Sequence, residues 1–467
     1  MSIDLAALQS SLRASAGGAR LQPIGLGRLV VGSGALDEVA GVVEDLVVTA
    51  GSRDVVLLSD NTTMSYRGKL LKPLVAEALS RCFSLRQVVV GGAGGEAHAD
   101  EASLADAVAA SGRAACVVSV GSGTVTDLAK AVAAEAASRH VVVQTATSVN
   151  GYVDPYSVLL RSGAKRTVPT RWPDAVVIDP GVLVEAPPGL NRAGVGDLLA
   201  MFSAPADWYL AGVVGTDTSY SDGVVSAVRE RGRGLLAMEQ DFVKDGAALT
   251  ELAETLTVSG IAMGVSATTA PASGMEHTVS HLLEMASEAG TGPTNFHGAQ
   301  VGAATLVAAA TWQRVLQAID GGALDRGGQL PEPGSARTRI ERAFAKLDPS
   351  GATAAECYAD YERKLIRLAE LDPIARLRAG WDRHANVLRG LLVDPGSLGR
   401  AMTTAGVPAG FSELANPVED DLAHWAVAHC HLLRDRFTVA DLADLLALFE
   451  DEDVAADLAV AGAAATP

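Results

Sequence analysis

Residues 115–135 read ACVVSVGSGTVTDLAKAVAAE, and the fold turns on this stretch. A β-branched run, Ala115–Val120, passes straight into Gly121-Ser122-Gly123-Thr124-Val125 and then into an alanine-rich helix. Glycine at a strand end tolerates φ > 0 and close backbone approach, while free N–H groups and the helix dipole favour an anion at the helix start. Position 126 is Thr, so the stretch departs from the GxGxxG dinucleotide fingerprint. A phosphate-binding turn and an ordinary strand-to-helix turn both fit these residues.

Working outward, short apolar runs recur on both sides. Arg28–Gly32, Asp54–Ser59 and Leu85–Val90 precede the stretch, and His140–Gln144 and Ala175–Asp179 follow it. Helical patterns separate them, including Tyr66–Arg81 and Glu101–Ser111, with a glycine-rich break over 91–100. Strands alternating with amphipathic helices predict a parallel sheet covered on both faces. Residues 1–185 are therefore expected to form an α/β, doubly wound, Rossmann-like nucleotide-binding domain. The prolines of PGVLVEAPPGL (180–190) punctuate its end.

Beyond that point helical periodicity takes over, and residues 186–467 are expected to form an all-α domain. Helices are predicted over Ser221–Glu239, Ala247–Ser266, Ser273–Ser287 and Gly298–Ala318. A Gly/Pro-rich linker, Gly321–Gly334, precedes four or so further helices. The alanine-rich end, Val454–Pro467, is expected to be mobile at its terminus. Asp197 follows Ala193-Gly194-Val195-Gly196 and is expected at or just inside a helix N-terminus, where an acid can act as a cap.

Composition bounds the function. The chain has 467 residues, 48% hydrophobic and 20% charged, with a net charge of −18. Such a surface repels nucleic-acid phosphates and anionic lipids, so no nucleic-acid partner and no membrane insertion are expected. Cys82, Cys116, Cys357 and Cys430 lack CxxC spacing, which fits reduced thiols rather than a zinc ribbon or a disulfide framework. No signal-peptide pattern opens the chain, and a cytoplasmic protein is expected.

Two further stretches carry chemistry. The strand His140–Gln144 runs into Thr145-Ala146-Thr147-Ser148-Val149-Asn150-Gly151-Tyr152-Val153-Asp154. A hydroxyl-rich loop at the carboxyl edge of a parallel sheet lies where open α/β sheets bind ligands, although an ordinary polar turn has the same composition. Residues 273–298, SGMEHTVSHLLEMASEAGTGPTNFHG, hold His277, His281 and His297. His277 and His281 leave one helix face a turn apart. Two imidazoles on separate elements with a carboxylate would make a three-ligand metal site with an open position; histidines that merely solvate a helix are the alternative. Lys165 and Arg166 fit anion contacts or surface charge. His384, His424, His429 and His431 are expected in packing or surface roles, and Trp208, Trp312, Trp381 and Trp425 as core anchors.

An α/β half followed by a helical half with Asp…HxxxH…H resembles the superfamily of iron-containing alcohol dehydrogenases, glycerol dehydrogenase and 3-dehydroquinate synthase. Within it the chain resembles the glycerol-1-phosphate dehydrogenase family. The resemblance rests on GSGTVTDLAK (121–130), TATSVNGY (145–152), AVVIDPGVLVEAPPGLNRAGVGDLLA (175–200), SGMEHTVSH (273–281), FHGAQVG (296–302) and LLRDRFTVADLADLL (432–446). It spans most of the chain and is weakest between 321 and about 410.

The resemblance implies a dehydroquinate synthase-like fold and a metal- and NAD(P)-dependent oxidoreductase interconverting sn-glycerol 1-phosphate and dihydroxyacetone phosphate, or a related phosphorylated polyol. It implies that Asp197, His277 and His297 hold one divalent metal, zinc in most members, with nickel or iron as alternatives. It implies that His281 lies against the substrate as a proton relay, that Asp127 faces the catalytic cleft, and that Asp197 and Asn150 border the substrate. NAD or NADP would contact Asp60, Gly121, Ser122, Gly123, Thr124, Val125, Thr145, Ala146, Thr147, Ser148 and Asp154. A homodimer or larger homo-oligomer is expected. A bound metal would stabilise the negative charge that builds on a carbonyl oxygen during hydride transfer.

The chain departs from the family at Asn150, where Asp is usual, at Asp154, where a small hydroxyl residue is usual, and at Ala299, where Glu is usual. Asn150 can hydrogen-bond a hydroxyl but cannot act as a base, and Asp154 beside the nicotinamide would repel a nearby phosphate. Two other functions share these features: a sugar-phosphate cyclase of the 3-dehydroquinate synthase type, and a degenerate member that binds without turnover.

Overall fold

The computed structural model describes residues 3–15, 17–48, 51–91 and 97–465. Most of the glycine-rich break, 92–96, lies outside the described residues, as do 466–467 at the alanine-rich end. The chain divides into two compact units: residues 1–161, 165–194 and 241–265 form the first, and 162–164, 195–240 and 266–467 the second.

The first unit is built on a parallel sheet. Its ten strands are β1 (Arg28–Val31), β2 (Asp54–Ser59), β3 (Ser65–Tyr66), β4 (Lys69–Leu70), β5 (Ser84–Val89), β6 (Cys116–Gly121), β7 (Arg139–Gln144), β8 (Tyr156–Arg161), β9 (Ala164–Pro169) and β10 (Ala175–Ile178). Six of them form one sheet in the order β1-β10-β7-β6-β2-β5, with every pairing parallel. All six runs expected from the sequence are in it. Val55, Leu57, Val118 and Val120 point into one buried cluster with the helix Val39–Val47, and Val56, Leu58 and Val117 into the opposite one with the helix Gly123–Glu135. Strand residues buried on both faces explain the unbroken apolar runs.

Leaving β1 aside, the order β5-β2-β6-β7-β10 is the 2-1-3-4-5 order of doubly wound sheets. The chain leaves β2 toward β5 and leaves β6 toward β7, so the winding reverses between β2 and β6. The carboxyl ends of those strands therefore flank the crevice where this architecture binds ligands.

Two expectations change locally. The helix expected over Tyr66–Arg81 starts at Leu71, because β3 and β4 form a tight hairpin before it. Arg67 and Gly68 both have positive φ (51° and 71°), the signature of a type I′ turn. The segment carrying Lys165 and Arg166 is a strand, β9, paired with β8 across Ser162–Gly163, again both at positive φ.

The helix Gly246–Ser266 belongs almost wholly to the first unit. A Cβ at Gly260 would lie 2.5 Å from the Asn150 carbonyl oxygen, and one at Gly264 would lie 2.1 Å from Trp172. Glycine there lets the helix press against the 150–154 loop.

The second unit is helical. The expected helices at 221, 273 and 298 are present as Asp222–Arg231 (continued by a 3₁₀ segment to Ala237), Met275–Glu288 and His297–Asp320. Past residue 321 the described chain contains eight α-helices rather than four. The last, Asp451–Ala465, packs rather than frays: Val454 is buried, and buried Asp457 receives two hydrogen bonds from Arg314 at 2.8 and 2.7 Å. Trp208, Trp312 and Trp425 are buried, while Trp381 is only partly so. None of the four cysteines forms a disulfide, and of the four only Cys82 is exposed. Among the described residues no helix is long and apolar enough to cross a membrane.

Candidate metal centre and nucleotide crevice

In the helical unit three distant stretches meet. Asp197 sits near the C-terminal end of the helix Pro188–Leu199, not at its start, because Pro188 opens that helix two turns earlier than expected. A Cβ at Gly196 would lie 2.2 Å from the Gly298 carbonyl oxygen, and one at Gly302 would lie 2.9 Å from the Gly196 Cα. These glycines let two backbones touch, which carries Asp197 to His297, the first residue of the helix His297–Asp320.

The donor atoms of Asp197, His277 and His297 all lie within 4.8 Å of one another. His277 Nε2 is 3.4 Å and His297 Nε2 3.8 Å from the same oxygen, Asp197 Oδ1. Asp197 is 1% exposed and His277 6%. Two imidazoles and a carboxylate in this geometry fit a divalent ion with a coordination position left over.

Each ring is held from behind. His277 Nδ1 is 3.0 Å from Glu276 Oε1, and His297 Nδ1 is 3.2 Å from both Glu284 Oε1 and the Ser280 hydroxyl. Glu276 is itself fixed: it accepts from the Gly274 N–H at 2.5 Å and the Ser203 hydroxyl at 2.9 Å. Burial works against charge on His277, but Asp197 and Glu276 outweigh it and push its pKa up to about 9. Burial pushes the Glu276 pKa up, but the His277 ring and the Gly274 N–H outweigh it and hold it below its ordinary value.

His281 has a different neighbour. Its ring stacks 5.4 Å from His297 and lies 6.3 Å from His277, and its Nδ1 accepts a hydrogen bond from the Arg434 guanidinium. His281, Glu284 and His297 also bring donor atoms within 4.8 Å. A cation there would sit against the Arg434 charge, so the Asp197 triad is the better cradle.

The start of the histidine helix is anchored by the chain's late residues. Asp207 Oδ2 accepts from the Met275 N–H and Oδ1 from the Val439 N–H, both at 2.8 Å, while Arg436 donates to the Ser273 carbonyl and hydroxyl. Glu276, Glu284 and Arg434 are absent from the sequence reading. Glu276 and Glu284 flank the HxxxH pair and were open to inspection; Arg434 lies 153 residues from His281 and carries no local signal.

In the sheet unit, Asp60 directly follows β2 and Gly121 ends β6, so both lie at the reversal of winding. Neither Gly121 nor Gly123 has positive φ; close packing explains them instead. A Cβ would lie 2.5 Å from Val125 at Gly121 and 3.1 Å from Val149 at Gly123. Ser122, the N-cap of the helix Gly123–Glu135, makes no side-chain capping bond, which leaves this end to backbone N–H groups. The Asp60 carboxylate is bound by Lys72 and by the Thr62 hydroxyl at 2.7 Å. Thr145, Ala146, Thr147 and Ser148 form a buried loop. Asn191 fixes it, accepting from the Thr147 N–H at 2.9 Å and lying 3.0 Å from its hydroxyl.

Asp127 and Asp154 are drawn into another cluster. Lys130, wholly buried, lies 3.1 Å from Asp127 Oδ1 and 3.2 Å from Asp154 Oδ1, and donates to the Gly151 carbonyl at 2.8 Å and to the Tyr156 carbonyl. Asp127 also accepts from the Val158 N–H at 3.2 Å and Asp154 from the Tyr156 N–H at 2.8 Å. The expectation of a free Asp154 charge beside the nicotinamide is corrected: its carboxylate is buried and compensated by Lys130. Asp127, expected at the catalytic cleft, has its carboxylate turned onto the same lysine. Asn150 donates to the Ser259 hydroxyl at 3.2 Å.

Residues 30–187 match the family model described as iron-containing alcohol dehydrogenase. The glycerol-1-phosphate dehydrogenase [NAD(P)+] of Bacillus velezensis is 26% identical over 428 residues, covering 90% of this chain and 92% of the relative. That of Bacillus subtilis is 29% identical over 380 residues, covering 80% and 91%. That of Aeropyrum pernix is 29% identical over 294 residues, covering 62% and 79%. Among solved structures, a probable glycerol dehydrogenase from Sinorhizobium meliloti superposes with a TM-score of 0.58 at 16% identity, covering 95% of this chain and 98% of the other. Glycerol dehydrogenase from Schizosaccharomyces pombe gives 0.57 at 15% identity, covering 94% and 90%. The structural likeness is one of fold, the dehydroquinate synthase-like fold. With that fold, the sequence matches and the Asp/His/His centre together, the chain is similar over most of its length to the glycerol-1-phosphate dehydrogenases, and over residues 30–187 to the iron-containing alcohol dehydrogenase family.

Proposed function

We propose that this protein is a metal-dependent, NAD(P)-linked oxidoreductase that interconverts sn-glycerol 1-phosphate and dihydroxyacetone phosphate, or a closely related phosphorylated polyol. One observation carries the reading: Nε2 of His277 and of His297 converge on one buried oxygen of Asp197. The near full-length likeness to glycerol-1-phosphate dehydrogenases supplies the substrate class. Two nitrogen donors and one carboxylate favour zinc over a hard, oxygen-preferring ion.

Asp197, His277 and His297 would hold the ion, which when bound supplies Lewis-acid stabilisation of a negative oxygen. The chain's own residues supply the rest. Backbone N–H groups of 121–125 would receive the cofactor's pyrophosphate at the helix start, Asp60 would accept from its ribose, and the 145–148 loop would wall its nicotinamide side. NAD(P), when bound, would supply the hydride acceptor for oxidation and the hydride donor for reduction, and the substrate hydroxyl proton would pass to solvent. His281 is assigned to the reacting oxygen of the substrate as a hydrogen-bonding group, because its ring lies within the histidine cluster. Asn150 is assigned to a substrate hydroxyl, and Asp127 acts through Lys130 to hold the loop that presents Asn150.

The test combines metal analysis with a spectrophotometric assay on dihydroxyacetone phosphate and neutral polyols. One equivalent of zinc and stoichiometric NAD(P)H consumption with the phosphorylated ketone are expected. Asp197→Ala, His277→Ala and His297→Ala should each abolish metal retention. Product formed without net change in NAD(P)H, or metal content near wild type in all three variants, would refute the reading.

A further inference from the structure

The three histidines of the centre differ less in their own positions than in what stands behind each ring. An imidazole has two nitrogens, and in the neutral ring one carries hydrogen while the other offers a lone pair. Whatever binds one nitrogen decides the state of the other. Carboxylates stand at Nδ1 of His277 and His297: Glu276 Oε1 at 3.0 Å and Glu284 Oε1 at 3.2 Å. A carboxylate can only accept, so both rings carry hydrogen at Nδ1, which leaves Nε2, on the side of Asp197 Oδ1, as the nitrogen that would give its lone pair to a metal.

Behind His281 stands a guanidinium. Arg434 can only donate, so His281 Nδ1 must accept and its Nε2 carries the hydrogen. That tautomer offers an N–H where the other two rings offer a lone pair. Arg434 is 9% exposed and Glu276 0%, so each interaction acts in a low-dielectric setting where it cannot be replaced by bulk water.

We infer that Glu276, Glu284 and Arg434 are positioning residues that divide the three histidines by role: the two glutamates make His277 and His297 metal ligands through Nε2, and Arg434 makes His281 an N–H donor excluded from the ligand set. The inference rests on the metal centre proposed above and assigns it three groups outside the ligands. It also accounts for the HxxxH pair splitting in function although both rings leave one helix face.

The experiment measures zinc affinity by chelator competition on the full-length protein, alongside steady-state kinetics and the thermal midpoint of the metal-free form. Glu276→Gln and Glu284→Gln should each weaken zinc binding about 10- to 100-fold, the range lost when an orienting partner is removed. The metal-free midpoint of Glu284→Gln should stay near wild type, because Glu284 is only partly buried (side chain 17% exposed); this variant decides the matter if Glu276→Gln fails to fold. Arg434→Met should keep zinc affinity within about twofold and lower kcat with KM little changed, and Arg434→Lys should recover part of that loss. Unchanged zinc affinity in Glu284→Gln, or zinc lost as readily in Arg434→Met as in the glutamate variants, overturns the inference. Wild-type protein with no His277-dependent zinc would instead overturn the metal centre itself.

Discussion

Two buried clusters in this molecule are made of similar materials and differ in where the positive charge comes from. In the sheet unit, Asp127 and Asp154 close on Lys130, whose side chain is 0% exposed. In the helical unit, Asp197, Glu276 and Glu284 close on His277 and His297. The first cluster carries its cation on the chain, so its charge is fixed at folding. In the second the carboxylates face imidazoles, and these balance the charge either by taking protons, as the raised His277 pKa of about 9 indicates, or by yielding lone pairs to a metal. A lysine makes a clamp, whereas histidines make an exchangeable site.

The sharpest way to break this contrast is to remove the built-in cation. Lys130→Met would leave two buried carboxylates facing each other and would strip the Gly151 and Tyr156 carbonyls of a donor. Breaking a buried pair from one side costs about 3–5 kcal/mol. Urea denaturation should show a loss of that order, with loop 151–156 loosened. A loss under about 1 kcal/mol, the range of an exposed ion pair, would mean that Lys130 does not clamp the loop.

The exchangeable cluster should respond to chelation instead. A ligand present at about 100 times its Kd stabilises the folded state by about 2.7 kcal/mol. EDTA should therefore lower the thermal midpoint of wild-type protein by several degrees and leave that of His277→Ala unmoved. Equal shifts in the two proteins would place the bound metal elsewhere.

What could be read from the chain follows the same division. The sheet was legible because each of its strands announces itself locally, as DVVLLS at 54–59 and CVVSVG at 116–121 do. Asp197, His277 and His297 were legible as residue types with suggestive spacing, by way of family likeness. Their supports were visible only as ordinary charges. Glu276 reads as an ordinary first-turn acid of a helix, and Arg434 as one charge in RDRF, until folding brings each to an imidazole. Asp197 looked like a helix cap because the Gly194–Gly196 run suggested a break; in the fold those glycines continue a helix and permit close packing. The return of 241–265 to the sheet unit has no local marker either, since Gly246–Ser266 reads as one more helix in a helical half. Asp154 was misjudged for a related reason: its meaning depends on Lys130, 24 residues earlier.

The mildest test concerns Asp154 and pH. Burial, with Asp127 adding and Lys130 opposing, pushes its pKa from 3.8 up to about 6. A carboxyl whose pKa is raised on folding binds its proton more tightly in the folded state. Its stabilising contribution is thus full below the unfolded value and falls as pH rises from about 4 to about 6. Asp154→Asn keeps an acceptor for the Tyr156 N–H and removes the second negative charge from around Lys130. The variant should lack the decline in stability across that window that wild type shows, a difference on the order of 3 kcal/mol by pH 7. Parallel stability curves for the two proteins between pH 4 and 7 would mean that both carboxylates stay ionised around one lysine, and the clamp would then be held by its carbonyl contacts rather than by its charge balance.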